Sequence, residues 1–338
     1  MRVLVTGISG FVGRHLAAHL LAEGDAVCGT YAGEAPDLAD VDLYPVDILD
    51  EEGMAELVGT ADPEVIIHLA GLASVGRSWS DPARYFQVNF LGTENLLQAA
   101  GERTVLLASS AEVYGAVPEG EQPIPESRPL APESPYALTK AAAERLVRAA
   151  GGVVVRSFNL IGPGQDGGFA LPAFARQLAA IAGGAAEPRL TVGNLSARRD
   201  FVHVADGVRA FRLLALEGGG GRAYNIASGR AMSIREVLDL LLDQARGQID
   251  GEVRVEVDPA RVRPVDVPLL TGDASRLRGL GWEPRHSVAD AVADLWNEVR
   301  ITESRNRAEL QSRTELRNRT ESRNRDGEPA GRAGEGVC

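Results

Sequence analysis

The sequence predicts an α/β protein built on a doubly wound parallel sheet, followed by a smaller C-terminal lobe. Over residues 1–160, short apolar strands alternate with amphipathic helices, which is typical of a parallel sheet covered on both faces. The turn from the first strand into the first helix carries three glycines, Gly7, Gly10 and Gly13. Beyond residue 160, long apolar strands become rare, and this change indicates a second and smaller unit.

The first half supplies the sheet and its helices in order. The apolar run at 2–6 predicts a buried strand, and the helix expected at 11–23 would end at Gly24. A later helix carries Pro135 in its first turn, a position that favours proline. The other predicted elements are strands at 25–31, 64–70, 104–108 and 152–156, and helices at 87–100 and 134–150.

Residues 161–300 are expected to form mainly a substrate-binding lobe. Some of their segments are expected to return to the dinucleotide-binding domain, which spans residues 1–160. Ser233 is a helix N-cap with Glu236 three residues later, which is a capping box. The expected elements are a loop at 162–168, helices at 171–182 and 233–246, and a strand at 253–257.

Residues 302–325 repeat a six-residue unit: TESRNR, AELQSR, TELRNR and TESRNR. The repeat has almost no apolar side chains, and a period of six matches neither a helical nor a strand stripe. We therefore expect a disordered tail at 301–338.

Charge and cysteine content narrow the function classes. A net charge of −12 at pH 7 disfavours a nucleic-acid partner or an anionic membrane surface. Cys28 and Cys338 have neither a disulfide framework nor a metal-ligand spacing, so no metal site is expected. The opening run MRVLVTG is expected to be a strand and not a signal peptide, and no stretch approaches the length of a membrane span. The expected location is the cytoplasm.

The glycine-rich turn predicts a bound dinucleotide. Its spacing is G-x-x-G-x-x-G, and glycines between a strand and a helix let a pyrophosphate approach the helix N-terminus closely. This is the Rossmann arrangement, and the expected cofactor is NADP or NAD. Residues 29–32 (GTYA), at the end of the second strand, have neither an acid for a ribose 2′-hydroxyl nor an arginine for a 2′-phosphate. The preference between the two cofactors stays open.

Tyr136 and Lys140 provide the predicted chemistry. They lie four residues apart, so they share one helix face. A free phenol has a pKa of about 10. A nearby ammonium is expected to favour the phenolate and to bring the phenol closer to its working range. Beside a dinucleotide, the pair predicts hydride transfer at a carbonyl or carbinol carbon.

Ten segments together resemble the extended short-chain dehydrogenase/reductase family, in its sugar-nucleotide branch. The resemblance spans about residues 1–296. The segments are GISGFVG (7–13), VDILD (46–50), HLAG (68–71), VNFLGTENLL (88–97), SSAEVYG (109–115), SPYALTK (134–140), RSFNLIGPGQ (156–165), RRDFVHVAD (198–206), YNIASG (224–229) and RPVDVP (263–268). The later ones are most similar to GDP-4-keto-6-deoxy-D-mannose reductases and the related GDP-mannose 4,6-dehydratases.

The resemblance implies three sets of site residues. The catalytic set is Ser110, Tyr136 and Lys140, with Glu112 beside it. The implied cofactor contacts are Gly7, Gly10, Phe11, Val12, Gly13, Asp47, Ile48, Leu69, Ala70, Gly71, Tyr136 and Lys140. The implied substrate contacts are Ser74, Asn159, Arg199 and Arg263. The partner is then a nucleotide sugar, expected to be GDP-linked, and a homodimer is expected.

Some of these positions also have a purely structural interpretation. Asp47 is alternatively a surface-turn acid, and Arg199 alternatively pairs with the adjacent Asp200. Asn89 serves either to position the cofactor or to make core hydrogen bonds. His68, on an apolar strand, is expected to be a core histidine.

Several functions stay open, and a reductase is favoured. A dehydratase needs extra acid–base groups to remove the C5 proton, and glucose-nucleotide dehydratases have Thr-Asp-Glu where this chain has Ser110, Ala111 and Glu112. Mannose-type dehydratases also lack that Asp but retain the Glu, so the dehydratase interpretation stays open. The segment at 261–282 resembles reductases, which need only Ser, Tyr, Lys and a reduced cofactor. A nucleotide-sugar 4-epimerase is third, and a non-catalytic dinucleotide-binding regulator would have no use for the catalytic set.

Overall fold

The computed structural model describes the chain except for residues 262–266 and 327–338. Two residues singled out from the sequence, Arg263 and Cys338, lie outside the described residues. The strands are β1 (Arg2–Thr6), β2 (Ala26–Thr30), β3 (Asp42–Tyr44), β4 (Val65–His68), β5 (Thr104–Ser110), β6 (Val153–Ser157), β7 (Asn159–Ile161), β8 (Arg189–Val192), β9 (Arg198–His203), β10 (Ala223–Ile226), β11 (Ala231–Ser233), β12 (Arg254–Val257) and β13 (Leu269–Leu270).

Seven strands form one parallel sheet in the order β10-β6-β5-β4-β1-β2-β3. The chain builds this sheet outward from β1 in both directions, which confirms the predicted doubly wound fold. β10 comes from the second half of the chain and completes one edge. The smaller sheet has the order β11-β9-β13 with β7 also paired to β9, and β8 pairs with β12.

The α-helices are α1 (Phe11–Ala22), α2 (Glu51–Ala61), α3 (Val75–Ser78), α4 (Pro82–Phe86), α5 (Gly92–Ala100), α6 (Pro135–Ala149), α7 (Ala170–Ala182), α8 (Val204–Glu217), α9 (Ile234–Ala245), α10 (Ser275–Arg278) and α11 (Val288–Asp326). The helix predicted at 87–100 is therefore only partly α-helical, because its first turn, Gln87–Leu91, is π-helical and joins α4 to α5. Within the described part of the chain, no helix combines the length and apolarity needed to cross a bilayer.

Local sequence signals account for the predicted starts of α6 and α9. Ser134 caps α6 by accepting the amide hydrogen of Ala137 at 3.1 Å, with Pro135 in the first turn. The expected capping box of Ser233 and Glu236 is present at the start of α9. These ends are specified by neighbouring residues, and the sequence therefore predicts them well.

The described residues contain four buried apolar clusters, and two of them are much larger than the others. One lies between the large sheet and helices α1 and α8, and it includes Val5, Ile67, Leu106 and Phe211. Fully burying one such side chain is worth about 1.5–3 kcal/mol. The other packs α7, α9 and α11 together through Leu178, Leu241, Leu295 and Trp296. Along the chain, α7 contributes to the second cluster, and α8, which follows it, packs in the first cluster.

The structure corrects the expectation of a disordered tail for residues 301–326, which are helical. α11 begins in the second cluster, where Ala291, Leu295 and Trp296 are buried. The repeat then extends this helix, because Glu, Arg, Leu and Gln are good helix formers and adding turns to an existing helix is easier than starting one. Residues 301–309 are exposed or half-buried, so no apolar stripe holds them.

Candidate active site

Most of the predicted site residues lie at one edge of the large sheet. Strands β6, β5, β4 and β1 are consecutive neighbours, and their carboxyl ends point to the same side. Gly7 directly follows β1, and Leu69 directly follows β4. Ser110 is the last residue of β5, and Asn159 lies two residues after the end of β6. Open α/β sheets bind ligands in this crevice, at the point where the strand order reverses.

The turn after β1 approaches the turn after β4 too closely for a side chain. Gly7 has φ +69°, and a Cβ on it would lie 2.7 Å from the Cα of Ala70. A Cβ on Gly13 would lie 2.6 Å from the carbonyl oxygen of Gly7. Gly10 is the N-cap of α1, and no side chain caps that helix. The result is a backbone cradle at a helix N-terminus, which fits the diphosphate of a dinucleotide.

Replacing Gly7 with alanine should lower both dinucleotide affinity and the thermal midpoint. The new Cβ would collide with the Ala70 backbone, and a left-handed φ costs alanine roughly 1–2 kcal/mol. Gly59→Ala is the matched control, because a Cβ at Gly59 in α2 meets nothing within 4 Å and alanine is the better helix former. Calorimetry and dinucleotide titration of the two variants test this. Indistinguishable variants would show that the turn tolerates a side chain.

The end of β2 positions the glycine turn. Thr30 Oγ1 accepts the amide hydrogen of Gly7 at 3.3 Å, and the carbonyl oxygen of Thr30 accepts that of Ile8 at 3.0 Å. A Cβ on Gly29 would lie 2.5 Å from Cδ1 of Ile8, so the strand passes directly beneath the turn. Residues 29–32 offer neither a carboxylate nor a guanidinium to a ribose, so the preference between NADP and NAD stays open.

His68 is a core histidine, as predicted. It is 1% exposed, and its ring nitrogens lie 2.7 Å from Thr6 Oγ1 and 3.0 Å from Thr93 Oγ1. Burial, and after it the charge of Lys140, lowers the pKa of His68 to about 3, so the imidazole is neutral. Thr6 Oγ1 also accepts the amide hydrogen of Ala70 at 3.2 Å. His68 therefore helps to hold the turn after β4.

Asn89 makes core hydrogen bonds that also position the site. Its Oδ1 accepts the amide hydrogen of Leu72 at 2.8 Å, and its Nδ2 donates to Thr139 Oγ1 at 3.0 Å. The side chain thereby ties the turn after β4 to α6. A Cβ on Gly71 would lie 2.9 Å from Asn89 Oδ1 and 3.3 Å from Lys140 Nζ. The two interpretations of Asn89 are thus compatible, since the core bonds bring Gly71 beside Lys140.

Tyr136 and Ser110 meet where β5 ends and α6 begins. The phenol of Tyr136 is buried, at 7% exposed. Burial raises the pKa of Tyr136 to about 12, a hydrogen bond with Ser110 opposes the rise, and the Glu112 charge adds to it. The expectation that the phenol would be brought closer to its working range is therefore wrong for this structure. Tyr136 is a neutral acid at neutral pH, because burial outweighs the stabilising hydrogen bond.

Lys140 lies one turn further along α6 and is also buried, as the shared helix face predicts. Its Nζ donates to the carbonyl oxygen of Ala108 at 2.9 Å. Burial lowers the pKa of Lys140 to about 8, and the carboxylate of Glu144 opposes that shift. The ammonium therefore carries its charge at neutral pH, next to the turn that contains Gly71.

A buried charge network supports Lys140, and sequence reasoning missed it. Glu144 Oε2 and Arg156 Nη2 form a salt bridge at 2.7 Å, with both side chains 2% exposed. Ser109 Oγ donates to Glu144 Oε1 at 2.5 Å, and Arg156 Nη1 donates to the Tyr114 hydroxyl at 3.0 Å. Glu144 follows Lys140 by four residues, so the helical spacing could have identified it. Its pairing with a strand arginine has no comparable local signal.

Glu112 acts on Tyr136 through its charge, whereas Ser74 is connected to Tyr136 only through Tyr85. The Tyr85 hydroxyl donates to the carbonyl oxygen of Ser74 at 2.7 Å, and the Tyr85 ring meets the Tyr136 ring edge-on at 6.4 Å between centroids. Glu112 lies in the 3₁₀ turn after β5, and its amide donates to Ser110 Oγ at 3.2 Å. The predicted roles of Ser74 at the substrate and of Glu112 in the catalytic set stay predictions.

Asp47 and Ile48 lie in the segment after β3. Asp47 is exposed, and its Oδ1 accepts the amide hydrogen of Leu49 at 2.9 Å, which is a local turn contact. Ile48 is 6% exposed, and a Cβ on Gly92 in α5 would lie 2.8 Å from its Cγ2. An adenine contact by this pair stays a prediction.

Asn159 and Arg199 lie on the paired strands β7 and β9 of the smaller sheet. Asn159 is exposed, whereas Arg199 is 5% exposed and its Nη1 donates to the carbonyl oxygen of Val267 at 2.6 Å. The neighbouring Asp200 accepts amide hydrogens from the turn at 228–229. Substrate contacts by Asn159 and Arg199 stay predictions.

Known proteins with similar sequences align along nearly the whole chain. Residues 4–295 match the family model described as GDP-mannose 4,6 dehydratase. The chain is 37% identical over 323 residues to GDP-6-deoxy-D-mannose reductase of Pseudomonas aeruginosa, covering 91% of this chain and 99% of that protein. It is 33% identical over 314 residues to UDP-glucose 4-epimerase of Mycolicibacterium smegmatis, covering 87% and 96%.

Solved structures show the same similarity in three dimensions. RMD from Pseudomonas aeruginosa, complexed with NADPH, has a TM-score of 0.77 at 35% identity and covers 89% of this chain and 100% of its own. UDP-glucose 4-epimerase of Thermus thermophilus, complexed with NAD, has a TM-score of 0.77 at 32% identity and covers 89% and 99%. Both carry a nicotinamide dinucleotide, the class of ligand that the glycine cradle fits.

Proposed function

We propose that this protein, which belongs to the GDP-mannose 4,6 dehydratase family of extended short-chain dehydrogenases/reductases, uses NADPH or NADH to reduce the C4 keto group of a nucleotide-activated 4-keto-6-deoxyhexose. The assembled set of Ser110, Tyr136 and Lys140, with Tyr136 as a neutral phenol, carries this proposal. A neutral phenol is the form that gives a proton to a ketone oxygen, whereas oxidising an alcohol needs a base in its place. The similarity to a reductase along nearly its full length supports the same reaction.

The residues divide the reaction between them. The cradle at Gly7 and Gly13 would hold the diphosphate of the cofactor, and the reduced nicotinamide supplies the hydride. Tyr136 donates its phenolic proton to the C4 oxygen, so the carbonyl becomes a hydroxyl. Ser110 hydrogen-bonds that oxygen, and the charge of Lys140 stabilises the phenolate that remains. Solvent then returns a proton to Tyr136.

We assign the remaining contacts as the resemblance implies. Ser74, Asn159, Arg199 and Arg263 would contact the nucleotide sugar, and Asp47 with Ile48 would contact the adenine. A GDP-linked hexose is supported by the family description and by the name of the reductase relative. Guanidinium groups suit this ligand, because their planar fork matches phosphate oxygens.

A 4,6-dehydratase is the second candidate, and Glu112 favours it. The charge of the Glu112 carboxylate contributes to the raised pKa of Tyr136, so Glu112 lies in the same part of the site and would be the candidate base for the C5 proton. Ala111 replaces the acid that glucose-nucleotide dehydratases carry at this point. A 4-epimerase shares the same catalytic set and is the third candidate.

Glu112→Gln separates reductase from dehydratase. For a reductase, we expect wild type to oxidise NADPH or NADH with the GDP-linked 4-keto-6-deoxymannose and to leave GDP-mannose unchanged. The variant should then lose activity worth only ~1–3 kcal/mol, as for a disturbed hydrogen bond. Glu64→Gln, at an exposed ion pair with Arg2, is the control. Conversion of GDP-mannose by wild type, abolished by Glu112→Gln, would establish the dehydratase.

We also propose that the protein acts as a homodimer in the cytoplasm. Large apolar side chains are exposed on neighbouring helical segments, at Phe86, Leu91 and Leu138. A second copy would cover this surface, and a two-fold pair is the commonest way to do so. Light scattering should give twice the 35.8 kDa chain mass for wild type and the single mass for Leu138→Glu. A monomeric wild type would refute the dimer.

The free thiol of Cys28 supports the proposed cytoplasmic location, because thiols stay reduced in that compartment.

A further inference from the structure

A cavity of about 510 Å³ lies at the β10 edge of the large sheet, and it shares Arg156 with the charge network that supports Lys140. It is bounded by the last turn of α6, the turn before β10, the segment at 126–130 and α10. Its lining is rich in guanidinium groups, those of Arg128, Arg148, Arg156, Arg222 and Arg276, with Glu126 as its one carboxylate. Such a concentration of positive charge is unusual on a chain whose net charge is −12.

Three of these arginines face carboxylates. Arg156 pairs with Glu144 at 2.7 Å, Arg276 lies 3.9 Å from Glu126, and Arg128 pairs with Glu121. Within the described residues, no carboxylate contacts Arg148 or Arg222. The cavity therefore holds two positive charges that the protein itself leaves uncompensated.

The two uncompensated arginines are linked through the turn before β10. Arg148 Nε donates to the carbonyl oxygen of Gly221, the residue before Arg222, at 3.0 Å. Gly221 has φ +71°, and its amide donates to the carbonyl oxygen of Gly152 at 2.9 Å. The turn that carries Arg222 is thus anchored to the sheet, and Arg148 is anchored to the turn. Both residues line the cavity and are exposed.

The cavity is separate from the catalytic centre. Tyr136 lies in the first turn of α6 and Arg148 in its last, so the helical rise places them roughly 18 Å apart. The glycine cradle is further away, because β5 and β4 lie between β6 and β1. A ligand here would therefore occupy neither the cofactor site nor the proton-transfer site.

We propose that this cavity is a second anion site that binds a phosphate-class dianion through Arg148 and Arg222. Guanidinium groups bind phosphate oxygens through paired charge-assisted hydrogen bonds, and two uncompensated guanidiniums match a double negative charge. The predominantly polar lining favours a compact anion over a large apolar ligand. The phosphoryl group is free phosphate or the end of a nucleoside monophosphate, and both present the same dianion.

Isothermal titration of the NADPH-saturated protein tests the site, since the bound cofactor keeps phosphate out of the glycine cradle. Inorganic phosphate and AMP are titrated separately at constant ionic strength into wild type, Arg148→Gln/Arg222→Gln and Arg246→Gln. Arg246 is the control, because it is an exposed arginine on α9's C-terminal cap and is remote from the cavity lining. We expect the double variant to bind at least roughly tenfold more weakly and the control to bind like wild type.

Each outcome decides for or against the site. Binding that is lost in the double variant, with either probe, supports the proposal, and the tighter probe identifies the source of the phosphoryl group. Equal binding by wild type and the double variant, or no binding of either probe to wild type, overturns it. The single variant Arg222→Gln guards against misfolding, because the structure gives that side chain no partner among the described residues, and it should also weaken binding.

Discussion

Replacing Tyr136 with phenylalanine should lower the rate of ketone reduction by about 10²–10⁴-fold and leave dinucleotide affinity nearly unchanged. The variant removes the proton donor but keeps the ring that packs at the start of α6. Single-turnover oxidation of NADPH with the keto sugar measures the chemical step. Fluorescence titration with NADPH measures the affinity separately.

Tyr85→Phe is the matched control for this change. It also removes a hydroxyl beside the site, the one that donates to the Ser74 carbonyl at 2.7 Å, and its ring contacts the Tyr136 ring. Because that hydroxyl donates to backbone and not to the reacting oxygen, we expect a much smaller loss of rate. Near-normal turnover by Tyr136→Phe on a verified substrate would remove Tyr136 from the role of acid.

Replacing Lys140 with methionine should reduce both rate and cofactor affinity, roughly 10²-fold or more for the rate. Methionine has a similar length but no charge, so nothing would stabilise the phenolate left after proton donation. The ammonium also borders Gly71, on the turn where the cofactor's nicotinamide ribose is expected. Unchanged cofactor affinity in Lys140→Met would show that the ammonium has no role in binding.

The pH dependence of kcat/KM tests the charge of Lys140 directly. Burial lowers the pKa of Lys140 to about 8, so the ammonium is charged below that pH and loses its proton as the pH rises through it. We therefore expect kcat/KM of wild type to fall above pH ~8. Lys140→Arg is the control, because arginine keeps its charge, and whatever activity it retains should not show this fall. A flat wild-type profile up to pH ~10 would contradict the assignment.

The buried partners of Lys140 explain how a charged lysine persists inside the protein. Glu144 offsets part of the desolvation that lowers the lysine pKa, and Arg156 in turn compensates Glu144. Removing one member of such a buried pair typically costs about 3–5 kcal/mol, because it leaves the other charge unpaired. In the proposed reaction Glu144 and Arg156 would be positioning residues, since their contacts reach the site through Lys140 and through Ser109 at the end of β5.

The sequence was most informative where a residue's role depends on its near neighbours. Gly7 is needed because of a turn between adjacent elements, Pro135 and Ser134 start a helix within three residues, and Ser233 with Glu236 caps another. It was least informative at 301–326, where a polar repeat indicates disorder unless the preceding helix is known. There α11 is already formed by burial of Trp296, and the repeat continues it.

By itself the sequence determined the parallel sheet, the dinucleotide turn and the pairing of Tyr136 with Lys140 on one helix face, because strand alternation, glycine spacing and helical periodicity are local patterns. Only the tertiary structure decided that Tyr136 is protonated, since its pKa depends on burial by β5, α4 and the Glu112 turn. Only the tertiary structure also showed that Glu144 pairs with Arg156 and that Arg148 and Arg222 face no carboxylate of the described residues. Desolvation and charge pairing act between residues that are distant along the chain, so a linear pattern does not contain them.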